Sequence, residues 1–520
     1  MYTSLQVNAM ARYIQIIIIS IIFLGVIILP VMTAGQQPGE AVFGGFLYSP
    51  LDGNSYLAKM RQGYDGQWGF VLPYTADHGD GAYIFLFYLF LGHMARWLSV
   101  SLPGMFHAAR AIAGLWLLWQ LWLFAHVSFG GDNQAVPRAV LLAGFGSGLG
   151  WLLFGGGELM PDFLVPEIYP FLSSYANPHF PLAMGLLLWV FRQVIPGGSI
   201  QRSGYLLLAG VSMAVLLPFA WGVGMAVLVV YALWVWWVER KFFWQPMVWL
   251  GMGGAPVVLY QVVVTAVRPI LNLWNLQNLT PSPPIWEVGI ALLPALLLAI
   301  YAIMKGWINW KENSPLTLSV IWLLTGLVLM YAPFQLQRRF MFALFIPTAV
   351  LAIAGLKMIP DQSMKLKRWL WPVVLILSLP SNLIVLFLGI YGIQTRAPSL
   401  YLSKYEYEAL MWLDQSTDPE TLILASPEMG NFIPAQTGRR VLYGHPFETV
   451  NAEEQEALIT QFFNGVLTVA EAEELLVMQE VNLVFYGPRE KSLGSISLEI
   501  FDFEIAYQNK EVSIYLVDPQ

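Results

Sequence analysis

The chain of 520 residues contains no cysteine. That absence excludes disulfides, thiol nucleophiles and thiolate metal sites. Charge is nearly as scarce: Asp, Glu, Lys and Arg make up 11% of the residues, against about 25% in soluble domains. Histidine occurs 6 times and never in a zinc-type pair. No phosphate-cradling glycine-rich loop and no nucleophile elbow is present. Basic residues are nowhere clustered enough for nucleic acid, which is excluded as a partner. The net charge of −7 carries little information, because membrane insertion responds to where Lys and Arg sit.

What fills the chain instead is apolar sequence, 57% of all residues. About twelve long apolar runs occupy residues 13 to 391, and the composition is that of a polytopic membrane protein. The first run, Tyr13 to Met32, has the roughly 20 residues a bilayer crossing needs. It exceeds the roughly 7–15 residues of a signal-peptide core, so it reads as a retained anchor. Further spans are predicted at 82–98, 105–128, 138–154, 177–194, 205–219, 221–238, 247–266, 287–304, 316–333, 340–357 and 369–391. Helices are the form lipid allows, since each satisfies its own backbone hydrogen bonds. Trp234, Trp236, Trp237, Trp369 and Trp371 fall at run ends, as interfacial anchors do.

Lys and Arg set the orientation. The connections Arg192–Arg202, Glu239–Lys241, Lys305–Lys311 and Lys357–Arg368 are basic and read as cytoplasmic. The loop at 33–81 sets Lys59 and Arg61 against Glu40, Asp52, Asp65, Asp77 and Asp80, and Gly155–Ala176 has no basic residue; both read as external. Here the charge pattern conflicts with span counting, which places 155–176 inside. One span between 82 and 194 is therefore split, re-entrant or absent, with the glycine-rich Gly144–Gly150 the leading suspect. An odd total, within about 11–13 helices, puts the amino terminus inside and the carboxyl-terminal part outside.

The chain changes character near Leu400. Residues 1–395 read as a transmembrane domain and 396–520 as a small soluble α/β domain. Strands are predicted at Thr421–Ala425, Arg440–Tyr443, Asn482–Tyr486, Phe501–Tyr507 and Val512–Val517, with helices at Glu406–Leu413 and Val469–Met478. Another helix is expected to start at Asn451, with its side chain as cap and Glu454 at the third position.

The acidic residue behind the first span is the main candidate for chemistry. Ser49-Pro50-Leu51-Asp52-Gly53 puts a carboxylate at the start of a segment continuing through Tyr56-Leu57-Ala58, and Pro73-Tyr74-Thr75, Phe85–Gly92 and Ala109-Arg110 follow. The plain alternative for Asp52 is an Asx turn. Glu167, Asn177 and His179 flank a second external helix start, where a cap by Asn177 is the plain alternative. Arg338 and Arg339 form an external basic pair suited to gripping phosphate, with head-group snorkelling as the alternative. Asp77-His78-Gly79-Asp80 offers carboxylates to a divalent cation, but without an octahedral set a solvated turn is the better reading; a divalent cation stays open and none is predicted as cofactor. Tyr443–Thr449 and Tyr486–Glu490 close strands, where turn chemistry explains their Gly and Pro.

The order of these motifs over about residues 13–360 resembles the GT-C superfamily of integral-membrane glycosyltransferases, in particular the bacterial PMT/ArnT and Rgt-type group. The resemblance implies a GT-C-like helical fold and a polyprenyl-phosphate sugar as donor. It makes Asp52 the general base in an inverting transfer to an extracytoplasmic glycolipid, polysaccharide or protein. It places Tyr56, Arg110, Glu167, Asn177, His179, Arg338 and Arg339 around donor or acceptor. The second acidic residue that often neighbours the base is replaced by Gly53. Rival readings are a multi-pass transporter or lipid flippase, whose spans would carry buried ionisable residues, and a non-catalytic membrane protein with a partner-binding tail.

Overall fold

The computed structural model describes residues 2–36, 40–195, 203–241, 243–306, 314–360, 363–494, 496 and 498–517. It is a mostly helical membrane protein with a small sheet region near its carboxyl end. The chain divides into two compact units. One comprises Met1–Leu29, His107–Leu259 and Leu279–Gly389; the other comprises Pro30–Phe106, Tyr260–Asn278 and Ile390–Gln520.

Among the described residues, six helices are long and apolar enough to cross a bilayer: Ile14–Gly35, Leu102–Ser128, Pro218–Glu239, Gln245–Val267, Gln337–Met358 and Lys365–Thr395. A bent pair, Ile285–Leu292 with Ala295–Gly306, turns by 93° at the break that contains Pro294, where proline supplies no N–H to the helix. Shorter apolar helices cover Ala135–Phe145, Gly204–Leu216 and Pro315–Leu329, and His179–Val194 is a largely buried helix of 16 residues. Ile14, Ile17, Ile18 and Ile21 of the first helix stay exposed, as side chains facing lipid do. In the first unit, Trp322 is fully buried, with the rings of Phe191 and Phe124 edge-on to it.

Two expected spans between 82 and 194 fold differently. The run at 82–98 becomes Leu86–Leu98, a helix of 13 residues. At 1.5 Å per residue it is about 20 Å long, short of the ~30 Å hydrocarbon core. The run at 138–154 is helical only to Phe145; then Gly146, Ser147 and Gly148 pass as buried, non-helical chain. A β carbon at Gly148 would stand 2.0 Å from the Ala291 carbonyl oxygen, so that close approach requires glycine. The basic connections expected at Arg192–Arg202 and Lys305–Lys311 lie mostly outside the described residues.

The second unit joins the first loop to the tail. Strand β1 (Ala41–Phe43) pairs antiparallel with β2 (Tyr401–Ser403), Val42 opposite Leu402. In the tail, β3 (Leu422–Leu424), β4 (Arg440–Val441), β5 (Leu483–Tyr486), β6 (Glu504–Gln508) and β7 (Ser513–Leu516) form one sheet in the order β4-β3-β5-β7-β6. The β3–β4 and β3–β5 pairs are parallel, and the β5–β7 and β6–β7 pairs antiparallel. Capping boxes start the helices Lys404–Ser416 (Ser403 with Glu406) and Val469–Met478 (Thr468 with Glu471). Asn451 is not the side-chain cap expected of it. Its φ of 54° puts it in the left-handed region, and its N–H donates to Gln277 Oε1 at 2.9 Å.

The sequence reading separates the tail at residue 396, yet the hydrophobic core of the sheet also takes in Ala58 and Tyr74 from the first loop. Helix Pro50–Tyr64 is fixed to the tail by polar contacts as well. Asn54 Nδ2 donates to Asn431 Oδ1 at 2.7 Å, and Asn431 Nδ2 to the Leu51 carbonyl at 3.2 Å. Lys59, only 1% exposed, holds Glu448 Oε1 at 2.8 Å and Ser55 Oγ at 3.0 Å. Its ammonium also lies 4.6 Å from the Phe85 ring centroid. Removing one partner of such a pair strands the other charge, at a cost of about 3–5 kcal/mol, whereas apolar replacement of both is far cheaper. Lys59→Met should therefore lower the unfolding temperature sharply, and Lys59→Met/Glu448→Met should recover most of that loss. Thermal unfolding of the detergent-solubilised protein, followed by tryptophan fluorescence, checks both.

Candidate active site

Asp52 lies in the first turn of helix Pro50–Tyr64. Pro50 sits at the first helical position, where its missing N–H costs nothing. Before it, Ser49 adopts φ 45° and ψ 60°, left-handed values uncommon for a residue with a side chain. The Ser49 hydroxyl donates to Asp52 Oδ2 at 2.6 Å. While Asn54, Ser55, Leu57, Ala58 and Lys59 on the same helix are buried, the Asp52 side chain is 54% exposed. It is a carboxylate held by a hydrogen bond yet open to an incoming hydroxyl. Gly53 explains the missing second acid: a β carbon there would lie 2.3 Å from the Phe46 ring, leaving no room for a side chain.

The tail contributes a residue to which the sequence reading gave little weight. After β4, the chain runs through Tyr443 and Gly444 to His445. The Gly430 and Gly444 backbones meet so closely that a β carbon on Gly444 would stand 2.4 Å from the Gly430 carbonyl oxygen. That approach carries His445 to the loop helix, where its Nε2, which makes no hydrogen bond among the described residues, lies 3.4 Å from Asp52 Oδ1. The imidazole is 2% exposed. Its Nδ1 accepts the Phe447 N–H at 3.1 Å, so the ring proton is on Nε2, toward Asp52. The segment Tyr443–Thr449 was legible as a strand-end turn. Nothing in its spacing linked it to Asp52, far away in sequence.

Tyr56, one turn beyond Asp52, stacks on Tyr88 with centroids 4.5 Å apart and rings 10° from parallel. Burial, then the neighbouring Tyr56 and Asp52, push the Tyr88 phenol well above its usual range. Tyr56 and Asp52 thus lie one turn apart on one helix, and both act on the Tyr88 phenol.

The other predicted site residues belong to the first unit. Glu167, 1% exposed, pairs with Arg339 of the turn Gln337–Met341, and the Arg339 guanidinium lies 5.8 Å from the Phe219 ring centroid. Beside it, the buried Nε of Arg338 has no hydrogen-bond partner among the described residues. Arg110 is buried, donating to the Tyr175 carbonyl and, at 2.7 Å, to that of Ile27 within the first helix, while its Nε has no hydrogen-bond partner among the described residues. Asn177 Oδ1 accepts the Phe180 N–H at 3.3 Å, a capping contact, and His179 packs against the Phe180 ring at the start of helix His179–Val194. The structure brings Glu167 to Arg339, and Asp52 to Tyr56. The Asp77–Asp80 segment is an Asx turn, Gly79 N–H donating to Asp77 Oδ1 at 2.9 Å.

No protein-family model and no curated protein matches the chain. Solved structures do. Oligosaccharyltransferase AglB from Archaeoglobus fulgidus aligns with 92% of this chain and 69% of its own, at 12% identity and a TM-score of 0.55. ArnT from Cupriavidus metallidurans aligns over 98% of both chains, at 12% identity and a TM-score of 0.55. Arabinofuranosyltransferase AftD from Mycobacteria covers 96% of this chain with 40% of its own, at 13% identity and a TM-score of 0.52. At such identities the likeness is one of architecture, extending over almost the whole of this chain: the protein has the GT-C fold.

Proposed function

We propose that this protein is a membrane glycosyltransferase that moves a sugar from a polyprenyl-phosphate donor to an acceptor hydroxyl, with Asp52 as general base. The observation that carries the reading is an exposed carboxylate, fixed in the first turn of a buried helix, within a GT-C fold. Two structures of similar architecture support the donor class: AglB was solved with a dolichol-phosphate and ArnT with undecaprenyl phosphate. In the reaction, Asp52 takes the acceptor proton while the hydroxyl oxygen attacks the anomeric carbon. The bond from that carbon to the phosphate oxygen breaks, and the prenyl phosphate leaves with the electron pair. A single displacement inverts the anomeric centre. The leaving phosphate needs positive charge, a role the resemblance gives to Arg338 and Arg339; of the two, Arg339 is paired with Glu167. Arg110, an ionisable residue buried in a span, lends the transporter reading no support, since backbone carbonyls hold it.

Asp52→Asn should keep the fold and lose roughly 10²–10⁴-fold in transfer, the usual worth of a general base. Membranes incubated with a panel of polyprenyl-phosphate sugars, scored for prenyl phosphate release, give the measurement; near-full activity of the purified variant overturns the assignment. Arg338→Gln should raise the donor KM with little change in acceptor KM, and Arg338→Lys should recover part, since an ammonium lacks the planar fork.

The proposed orientation places the amino terminus in the cytoplasm and the active site outside. Without 82–98, the helices above give eleven crossings, counting Ala135–Phe154 as one made of helix and buried glycine chain. Protein-buried irregular backbone is tolerated at membrane depth. Span parity and charge then agree at 155–176. The same count puts all three segments of the second unit, 30–106, 260–278 and 390–520, on one side. The cysteine-free chain makes this easy to test. Single cysteines at the exposed Gln67, Glu158 and Glu480 should react with an impermeant maleimide on intact cells, and one at Lys241 only after permeabilisation. Labelling of Glu158→Cys only after permeabilisation would overturn the eleven-span count.

A further inference from the structure

His445 is buried, comes from the tail, and faces the carboxylate proposed as base. Its loop is closed on itself and held from outside. Thr449, fully buried, accepts from the Gly444 and His445 amides and donates its own N–H to the His445 carbonyl at 2.9 Å. Trp274 Nε1 donates to the Phe447 carbonyl at 2.8 Å, and Lys59 holds Glu448. The titratable groups beside the imidazole are Asp52 from the loop helix and Tyr74, with its ring centroid 6.1 Å away; Glu448, three residues on in the same loop, turns to Lys59. A side chain this constrained, with a fixed tautomer, is what holding another group in one rotamer requires.

We propose that His445 is a positioning residue for Asp52. The Ser49 hydroxyl holds one carboxylate oxygen by a hydrogen bond, and the Nε2–H dipole, 3.4 Å from the other and short of a hydrogen bond, draws that oxygen toward the tail, so the base meets the acceptor in one orientation. Supplying this imidazole gives the α/β tail a role in the reaction. The inference rests on Asp52 being the base. A base misplaced by about 1 Å loses on the order of 10²-fold in rate.

The test uses the full-length protein, the prenyl phosphate release assay and the panel donor that turns over. His445→Phe should lower kcat by about 10–100-fold with donor KM shifted less than about twofold, because ground-state binding is untouched. His445→Gln, whose amide nitrogen can take the place of Nε2, should restore most of kcat. Wild-type kcat in His445→Phe overturns the proposal, as do equal losses in Phe and Gln variants that track a lowered unfolding temperature. If His445→Phe does not fold, the ¹⁵N-histidine spectrum of the unaltered protein decides. Expected is a His445 signal with a bare Nδ1 and a proton on Nε2; the opposite tautomer overturns the proposal. Full activity of Asp52→Asn alongside that expected tautomer would instead refute Asp52 as base and leave the contact standing.

Discussion

The candidate site depends on a buried charge pair two turns along the helix from Asp52. Lys59 and Glu448 pair at 2.8 Å where burial makes an unpaired charge costly. Through them the helix Pro50–Tyr64 and the loop 444–449 are held in one register. Asn54 and Asn431 repeat the link nearer the helix start, and Ala58 and Tyr74 extend it into the sheet's core. With one face of the helix committed in this way, Asp52 on the first turn stays in water and cannot wander.

Small residues then decide where groups can meet. Gly53 leaves Phe46 its place beside the helix and denies the chain a second acid next to Asp52. Gly430 and Gly444 let two backbones touch, which carries His445 to the carboxylate. Ser49 accepts a left-handed conformation while its hydroxyl holds the second carboxylate oxygen. Strain and close packing concentrate around one exposed acid, as they do where geometry serves chemistry.

Much of this was legible in sequence because it follows from local physics. Long apolar runs read as helices, since lipid leaves the backbone no alternative, and the strands of the tail fell close to their predicted places. Asp52 stood out by its position behind the first span. The errors share a cause. Residues 82–98 are apolar enough to resemble a span, but their helix stops at 13 residues and packs in the unit that holds the first loop. Asn451 has a capping residue's identity, yet tertiary contact with Gln277 recruits its amide and leaves its backbone left-handed.

The sequence by itself determined a polytopic helical protein without thiol chemistry, with an acidic first loop and an α/β tail. Composition and hydrophobic period suffice for that, because they act residue by residue along the chain. Only tertiary structure decided that the tail shares a core with the first loop, that Glu167 is paired with Arg339, and that His445 faces Asp52. Those pairings join residues far apart in sequence. They arise when packed helices, touching glycine backbones and buried charges must all be satisfied at once, and no local pattern encodes that joint solution.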